Sequence, residues 1–256
     1  MKNILWIFLL LLTNWFSFAQ ESAYQAGESF KFRISYGLIN AGEATLNLTS
    51  TTYNGKSVYH AKGFGYTTGI TKKLFKVEDD YQSYFDKVSG KPYRFIRKID
   101  EGGYKKNQEG FFDQDKKTVL VKDYKNKNEN TFSITANAQD IVSSFYHLRN
   151  HPSINTLKKG ETIQIDMFFD DEIYKFKLKF LGKEEIKTKF GKINALKFRP
   201  YVQSGRVFKE DESLTMWVSD DENKIPLKIQ ASLLVGSLKA ELINYSGLKH
   251  NIVFKK

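Results

Sequence analysis

Alternation of apolar and polar residues decides the fold of this chain, and it is clearest in residues 29–36, which read SFKFRISY. In an extended backbone, successive side chains point to opposite faces. The residues that share the apolar face here are Phe30, Phe32, Ile34 and Tyr36. A period of two is typical of a strand that buries one face, so this stretch predicts a half-buried β-strand.

The same pattern recurs along most of the chain, and turn residues separate the runs. Asn54-Gly55, for example, favours the positive backbone angles of a tight hairpin. Further alternating runs occupy residues 75–85, 93–99, 118–124, 163–169, 193–198, 214–218, 227–235 and 238–245. About 12 to 15 strands are more than an open sheet holds without curling. We therefore expect an all-β fold, built as a large, strongly curved antiparallel sheet or an incomplete barrel.

One internal stretch, from about residue 138 to residue 149, has a helical period instead. Its apolar positions share one face and are Ile141, Val142, Phe145 and Leu148. Asn137 is the expected N-cap, and Pro152 prevents the helix from continuing. We expect this single short helix to cover the concave face of the sheet, either as a fixed part of the core or as a lid over a binding groove.

The N-terminal residues predict export. Lys2 precedes an apolar run from Ile4 to Leu12, and the small residues Ser17 and Ala19 follow it. This order is typical of a secretory signal peptide that is cleaved after Ala19. The apolar run is well short of the ~20 residues that span a bilayer, so we expect no membrane anchor after cleavage. The mature chain is then a single β-rich domain over residues 20–256, in the periplasm or outside the cell.

Composition excludes several kinds of function. The chain has no cysteine, so disulfides, thiolate metal sites and cysteine nucleophiles are excluded. Its formal net charge of +11 suits an anionic partner. However, the lysines are scattered along nearly every segment, often beside an acid, whereas a nucleic-acid site clusters arginine and lysine on one surface. We therefore interpret the charge as solvated strand faces and expect no nucleic-acid partner.

Candidate catalytic or metal-binding residues are few. His147 and His151 have the spacing of two metal ligands on a helix, but a third ligand has no local source and Pro152 disfavours a helical His151. The acidic groups at residues 79–80, 170–172 and 220–222 could supply a general acid and base, although turn acids are usually solvated. No nucleophile elbow or phosphate-binding glycine pattern occurs. We expect no catalytic, cofactor-binding or metal-binding residues.

Aromatic residues make up 15% of the chain, which is more than a strand core of valine, isoleucine and leucine needs. Most would pack in the core, but a curved sheet can leave some of them lining a groove for an acyl chain or a hydrophobic peptide. Phe145 and Trp217 are the candidate ligand-binding residues. Trp217 lies on the opposite strand face from Met216 and Val218, so it either packs under the helix or a loop, or lines a cavity mouth.

Several short landmarks follow one another in a specific order. They are Gly27-Glu28, Tyr36-Gly37, residues 41–44 (AGEA), residues 139–149 (QDIVSSFYHLR), Phe190-Gly191 with Pro200, and residues 217–220 (WVSD) with Pro226. Together they resemble a family of exported bacterial proteins, the domain of unknown function 3108 (DUF3108) family. The helix departs from the family's Asp-Pro-Leu-Ser pattern at Ile141. The resemblance implies a β-rich envelope protein and supplies no catalytic residues.

An analogy of fold suggests a function. A bent antiparallel sheet covered by a helix is similar to the carriers that ferry lipoproteins across the periplasm. We therefore expect non-enzymatic binding of a lipid or another hydrophobic or amphiphilic ligand, without a cofactor. One alternative is a structural or interaction module whose partner is an envelope protein. The other is a carboxylate-dependent hydrolase.

Overall fold

The computed structural model describes residues 22–201, 214–233 and 236–256. Its strands are β1 (Ser29–Tyr36), β2 (Ile39–Tyr53), β3 (Lys56–Thr67), β4 (Val77–Asp86), β5 (Pro92–Glu101), β6 (Tyr104–Asp113), β7 (Thr118–Asp123), β8 (Asn128–Ser133), β9 (Thr162–Phe169), β10 (Glu172–Thr188), β11 (Gly191–Tyr201), β12 (Leu214–Ser219), β13 (Pro226–Ser232) and β14 (Ser237–Ser246). Its helices are α1 (Gly69–Leu74), α2 (Ile141–Arg149) and a 3-10 turn (Pro152–Asn155). The predicted signal peptide lies outside the described residues.

These fourteen strands form one antiparallel sheet. Strands that follow one another in sequence are neighbours, except at β8 and β9, and β1 also pairs with β14. The strand order therefore runs from β8 back to β1 and from β14 back to β9. The prediction of an all-β antiparallel fold is confirmed. The sheet stays open, as in an incomplete barrel, because the edge strands β8 and β9 do not pair with each other.

The turns fall at two ends of the sheet because the strands alternate in direction. We call upper the end that carries α1, the β1–β2, β5–β6, β7–β8 and β9–β10 turns, and the connection between β13 and β14. The lower end carries the remaining described turns. One of these is the predicted hairpin at Asn54-Gly55, where both residues have positive φ angles, 48° and 76°.

Side chains join the two ends of the strand order although the strands themselves do not pair. The ring of Phe168 on β9 lies against three rings from the other end of the order, Phe95 at 6.2 Å, Phe112 at 6.2 Å and Phe132 at 5.8 Å. The backbone of Gln139 also bonds to β9, since its N–H donates to Asp166 and its carbonyl accepts from Phe168. The segment before α2 thus covers part of the exposed edge of β9.

Helix α2 begins later than the sequence pattern predicts. Its N-cap is Asp140, whose carboxylate accepts hydrogen bonds from the backbone N–H groups of Val142 and Ser143, both at 2.8 Å. The Ser143 side chain accepts in return from the Asp140 N–H and completes a capping box. The expected cap, Asn137, lies outside the helix with a φ of 66°. The prediction that the helix ends at Arg149 is confirmed.

The sequence pattern fails to predict two elements, the helix α1 and the strand β8. The described residues contain a second helix, α1, so the expectation of a single short helix is wrong. A six-residue helix is too short to display a helical period, which is why the pattern misses it. Strand β8 (NENTFS) has almost no apolar residue to alternate. No helix in the described part of the chain is long and apolar enough to cross a membrane.

A buried ion pair fixes α2 at its C-terminal end. The Arg149 guanidinium donates to both carboxylate oxygens of Glu28, at 2.5 and 2.7 Å, and the two side chains are 3% and 0% exposed. It also donates to the carbonyl oxygens of Asn223 and Ala23. Four rings lie 5.3 to 5.6 Å from the guanidinium carbon, those of Tyr24, Phe30, Phe145 and Tyr146. The charge of Arg149 is therefore matched by Glu28, and each of its three nitrogens donates to an acceptor inside the protein.

We predict that Glu28→Gln lowers the free energy of unfolding by about 3 to 5 kcal/mol, because it leaves a buried guanidinium without its counter-charge. Chemical denaturation measures this loss. The matched control is Glu241→Gln, since Glu241 pairs with Arg33 at 3.4 Å on the exposed face and should change stability by less than about 1 kcal/mol. Equal effects at the two positions would contradict the structural importance of the buried pair.

Candidate functional site

A narrow cleft lies on the inner face of the sheet between β4–β6, the N-terminal end of α2 and the β9–β10 turn. We call it the Arg97 cleft. Its walls include Phe95, Val142 and Phe168, and its polar groups include Arg97, Asp140 and Asp170. Arg97 faces inward because it pairs directly with Tyr81 on β4 and Gln108 on β6 and has the same parity as Phe95. The cleft is thus apolar with a few fixed polar groups.

Arg97 is the central polar group of the cleft. Its Nη1 donates to Asp170 at 2.5 Å, and Lys106 donates to the same carboxylate oxygen at 2.7 Å. The guanidinium carbon also lies 4.4 Å from the ring of Phe169. The Nε–H of Arg97 is buried and has no hydrogen-bond partner among the described residues. This donor is therefore unsatisfied in the described structure.

Two acidic residues that are distant in sequence, Asp79 and Asp170, both interact electrostatically with Arg97, and their ionisation differs. Burial and a hydrogen bond with Glu101 raise the pKa of Asp79 to about 7. Burial acts in the same direction on Asp170, but the hydrogen bonds from Lys106 and Arg97 outweigh it and lower the pKa of that carboxyl. One carboxyl thus holds a proton near neutral pH while the other is ionised, which is the contrast that acid–base catalysis needs.

Asp140 connects the cleft to the helix. It is fully buried, and burial raises its pKa to about 6 although the Ser83 hydroxyl and the helix N–H groups donate to it. The three hydrogen bonds that its carboxylate accepts hold the first turn of α2 in place. We therefore assign Asp140 a positioning role beside the cleft.

The third acidic group, residues 220–222, lies at the lower end and is structural. Asp221 accepts from the Ser219 hydroxyl and from the backbone N–H groups of Asn223 and Lys224. It therefore caps the β12–β13 turn, in contrast to the solvated turn acid that the sequence suggests. A polar pocket of about 290 Å³ lies nearby, lined by Arg149, Asp221, Glu222, Lys224 and His250 among others. Several of its polar groups contact one another: Glu222 lies 3.1 Å from His250, and the Lys224 ammonium donates to the Asp221 carbonyl oxygen.

The two ligand-binding candidates, Phe145 and Trp217, lie outside the Arg97 cleft. Phe145 borders a small cavity between α2 and β10–β12. Only about 30 Å³ of this cavity is wide enough to hold a water molecule. Trp217 packs in a different cluster from Met216 and Val218, as the alternation predicts. Its ring is 8% exposed, and its Nε1 donates to Glu184 at 2.5 Å. These contacts favour a packing role for Trp217.

Within the described part of the chain, His147 and His151 do not belong to a larger group of potential metal ligands. The rings of His147 and His151 have centroids 6.1 Å apart, and burial lowers the pKa of both imidazoles. His151 follows α2 and caps the 3-10 turn, where its Nδ1 accepts from the Ser153 N–H. Among the described residues no group of three or more histidine, cysteine, aspartate or glutamate side chains could hold a metal ion.

Sequence reasoning misses Arg97, although a signal for it exists. In the alternating run 93–99 the inward positions are Tyr93, Phe95, Arg97 and Ile99. An arginine at an inward position of a half-buried strand needs a partner or a function. The alternation along this strand therefore indicates that Arg97 points inward. Its partner, Asp170, is 73 residues away in sequence and can be identified only from the fold.

The fold defines the class of protein, which is an open, barrel-like antiparallel sheet with a helix against its inner face. The crystal structure of a beta-barrel-like protein of domain of unknown function DUF1849 from Brucella abortus is similar, with a TM-score of 0.58 and 10% sequence identity. The match covers 87% of this chain and 98% of that one. At this identity the likeness concerns the fold alone.

The family follows from the sequence itself. The family model described as Protein of unknown function (DUF3108) matches residues 31–243, so the chain belongs to the DUF3108 family and the resemblance is confirmed. A Bacteroides fragilis protein described as exported, with a YmcC-like fold, matches over 89% of this chain and 99% of its own, at 6% identity. Its TM-score of 0.34 is too low to support an argument. No curated protein matches the chain.

We predict that Asp79→Asn makes the protein more stable above about pH 7. The pKa of Asp79 is higher in the folded protein than its ordinary value of 3.8, so the folded state binds the proton more tightly. The stability that this proton provides is complete at acidic pH and is lost as the pH rises through about 7. An amide cannot ionise and avoids the loss. Because the group is half-exposed, the gain is no more than about 1 kcal/mol.

Thermal melts of the wild type and the variant across this pH range measure the effect. Asp113→Asn is the control, because backbone and side-chain hydrogen bonds from Lys116 lower the pKa of Asp113. That variant should gain nothing at high pH and should lose stability there instead. A pH-independent difference between wild type and Asp79→Asn would contradict the assigned protonation.

Proposed function

We propose that this chain is an exported, non-catalytic binding protein of the bacterial envelope, and that it takes a small amphiphilic ligand in the Arg97 cleft. The observation that supports this most is Arg97 itself, a guanidinium that lines a largely apolar cleft and whose buried Nε–H has no hydrogen-bond partner among the described residues. Leaving such a donor without a partner costs stability. A ligand that supplies the acceptor would remove this cost.

The chemistry of Arg97 specifies one end of the ligand. Guanidinium groups only donate hydrogen bonds, so the polar end must accept them, as a carboxylate, a phosphate or a carbonyl oxygen does. Lys106 adds a second donor beside Arg97, and the two cations share the carboxylate of Asp170. Asp140 and Asp171 also line the cleft, and the carboxylate of Asp140 is occupied by the hydrogen bonds that cap α2. An anionic head group therefore fits better than a cationic one.

The walls specify the other end. Ligand sites are usually concave and largely apolar with few polar groups, and the cleft between Phe95, Val142 and Phe168 has this character. It encloses about 380 Å³, counting the part open to solvent, of which only about 30 Å³ is wide enough for a water molecule. These dimensions favour a flat ring or the end of a chain. A whole acyl chain, as a lipoprotein carrier takes it, would need α2 to move.

An anionic amphiphile tests this proposal. Anilinonaphthalene sulfonate, which carries a sulfonate acceptor on flat rings, should bind the folded wild type and brighten. Arg97→Met should weaken binding by about tenfold, the value of one hydrogen bond to a charged group. Arg33→Met is the matched control, because Arg33 lies on an exposed strand face, and should bind as the wild type does. A melting curve for each variant verifies that the dye reports a folded protein.

Three outcomes would contradict the proposal. Equal binding by the two arginine variants would exclude the Arg97 cleft as the site. A stoichiometric envelope protein, in place of a small molecule, in protein purified from its own cells would favour the alternative interaction module. A ligand that disappears with time, in a reaction that Asp79→Asn abolishes, would favour the carboxylate-dependent hydrolase.

A further inference from the structure

Exposed apolar side chains concentrate at the upper end of the sheet. Eleven large hydrophobic side chains are exposed in the described part of the chain, and nine of them lie at this end. The remaining two, Val88 and Val253, lie at the lower end. From this asymmetry and the charge around it we propose that the upper end docks on the surface of an anionic lipid membrane. This inference is independent of ligand binding in the Arg97 cleft.

The docking surface, which we call the apolar rim, consists of Leu38, Ile39, Ile70, Leu74, Phe75 and Tyr104. Backbone contacts make it continuous. Thr68, at the start of α1, donates to the Ala41 carbonyl on β2, which places α1 beside the β1–β2 turn. Phe75 lies against Gly102, where an added Cβ would meet the ring at 2.2 Å. The rim therefore extends from the β1–β2 turn to the β5–β6 turn.

Helix α1 is the most unusual part of the rim. It buries none of its residues, although most helices in proteins are stabilised by packing of an apolar face. Ile70 and Leu74 lie four residues apart, on one face of the helix, and are 66% and 80% exposed. At the neighbouring turn Leu38 is fully exposed. The apolar face of α1 thus has no partner within the described chain.

Lysines lie beside these apolar tips. Residues 68–76 contain Lys72, Lys73 and Lys76 and no acid, and Lys72 and Lys76 pair with Glu78 and Asp100 from β4 and β5. Lys73 and Lys127, in the β7–β8 turn, make no ion pair with any described residue. The sequence pattern predicts that the lysines lie on solvated strand faces. At the upper end, however, lysines lie next to exposed leucine and phenylalanine side chains. Anionic lipid headgroups attract such lysines.

The combination favours a membrane over a protein partner. Protein interfaces are depleted in lysine at their centres, whereas lysine stems extend along apolar surface and carry their ammonium groups to a polar boundary. Tyrosine is enriched at membrane–water interfaces. Tyr104 belongs to the rim and Tyr124 lies in the β7–β8 turn at the same end, and both are exposed. Apolar tips on short turns and a short helix can enter the headgroup region without unfolding the sheet.

Vesicle cosedimentation tests the proposal. The protein purified from its own cells should sediment with phosphatidylcholine vesicles that contain phosphatidylglycerol, and much less with phosphatidylcholine alone. Leu38→Ser combined with Leu74→Ser should lower the affinity by about tenfold or more, since each leucine loses its transfer from water. The matched control, Val88→Ser combined with Val253→Ser, changes two exposed apolar residues at the lower end and should bind normally. All variants share one N-terminus, so that segment cannot cause a difference.

A second pair of variants tests the charge. Lys72→Glu with Lys73→Glu should abolish the preference for phosphatidylglycerol, whereas Lys116→Glu with Lys117→Glu, in the β6–β7 turn at the lower end, should preserve it. All these side chains are exposed, so each variant should fold, and a circular dichroism melt verifies this. Absence of wild-type binding to anionic vesicles, or equal binding by the upper and lower variants of either type, would overturn the proposal.

Discussion

The salt bridge between Arg149 and Glu28 joins three parts of the chain that are far apart in sequence. Arg149 ends α2, Glu28 precedes β1, and Asn223 in the β12–β13 turn contributes a carbonyl acceptor. Removing two charges from water is costly unless every donor and acceptor finds a partner. Here that requirement is met only if all three segments hold their positions together. The salt bridge therefore determines where α2 lies against the sheet.

A fixed α2 has consequences for where the protein can act. Tyr146 and Val142 pack with Phe85 and Leu48 from the sheet, and Asp140 holds the helix start beside β4 through Ser83. The space between helix and sheet is then occupied by side chains and leaves cavities too narrow for a long apolar ligand. The surfaces that a ligand or a membrane can reach therefore lie towards the upper end. The Arg97 cleft lies beside the β9–β10 turn, and the apolar rim includes α1.

The sequence predicts the elements whose pattern is long and regular. Period two identifies strands such as β1, and the apolar stripe around Phe145 identifies α2 and its end at Arg149. The pattern fails where a short element has few apolar residues, as in β8, or no buried face, as in α1. It also misplaces the N-cap, because Asn137 and Asp140 are both good cap residues by type, whereas Asp140 gains the capping box with Ser143 and the tertiary bond from Ser83.

The candidate site is predicted less well, for a related reason. Its properties arise between residues that the sheet brings together, such as Arg97 with Asp170 and Asp79 with Glu101. Sequence alone identifies the acidic groups, but not which of them meet. Phe145 and Trp217 are large aromatic side chains on regular elements, so a pattern can single them out, yet their contacts are mainly those of core packing.

Native-state hydrogen exchange of the α2 amides tests the central claim, that Arg149 and Glu28 make this helix a fixed part of the core. If the account is correct, the amides of Ser144 to Arg149 exchange only through global unfolding, with the same free energy as the central amides of β3 and β4. Exchange of α2 at a clearly lower free energy than those strands would contradict it and would show that the helix opens as a lid.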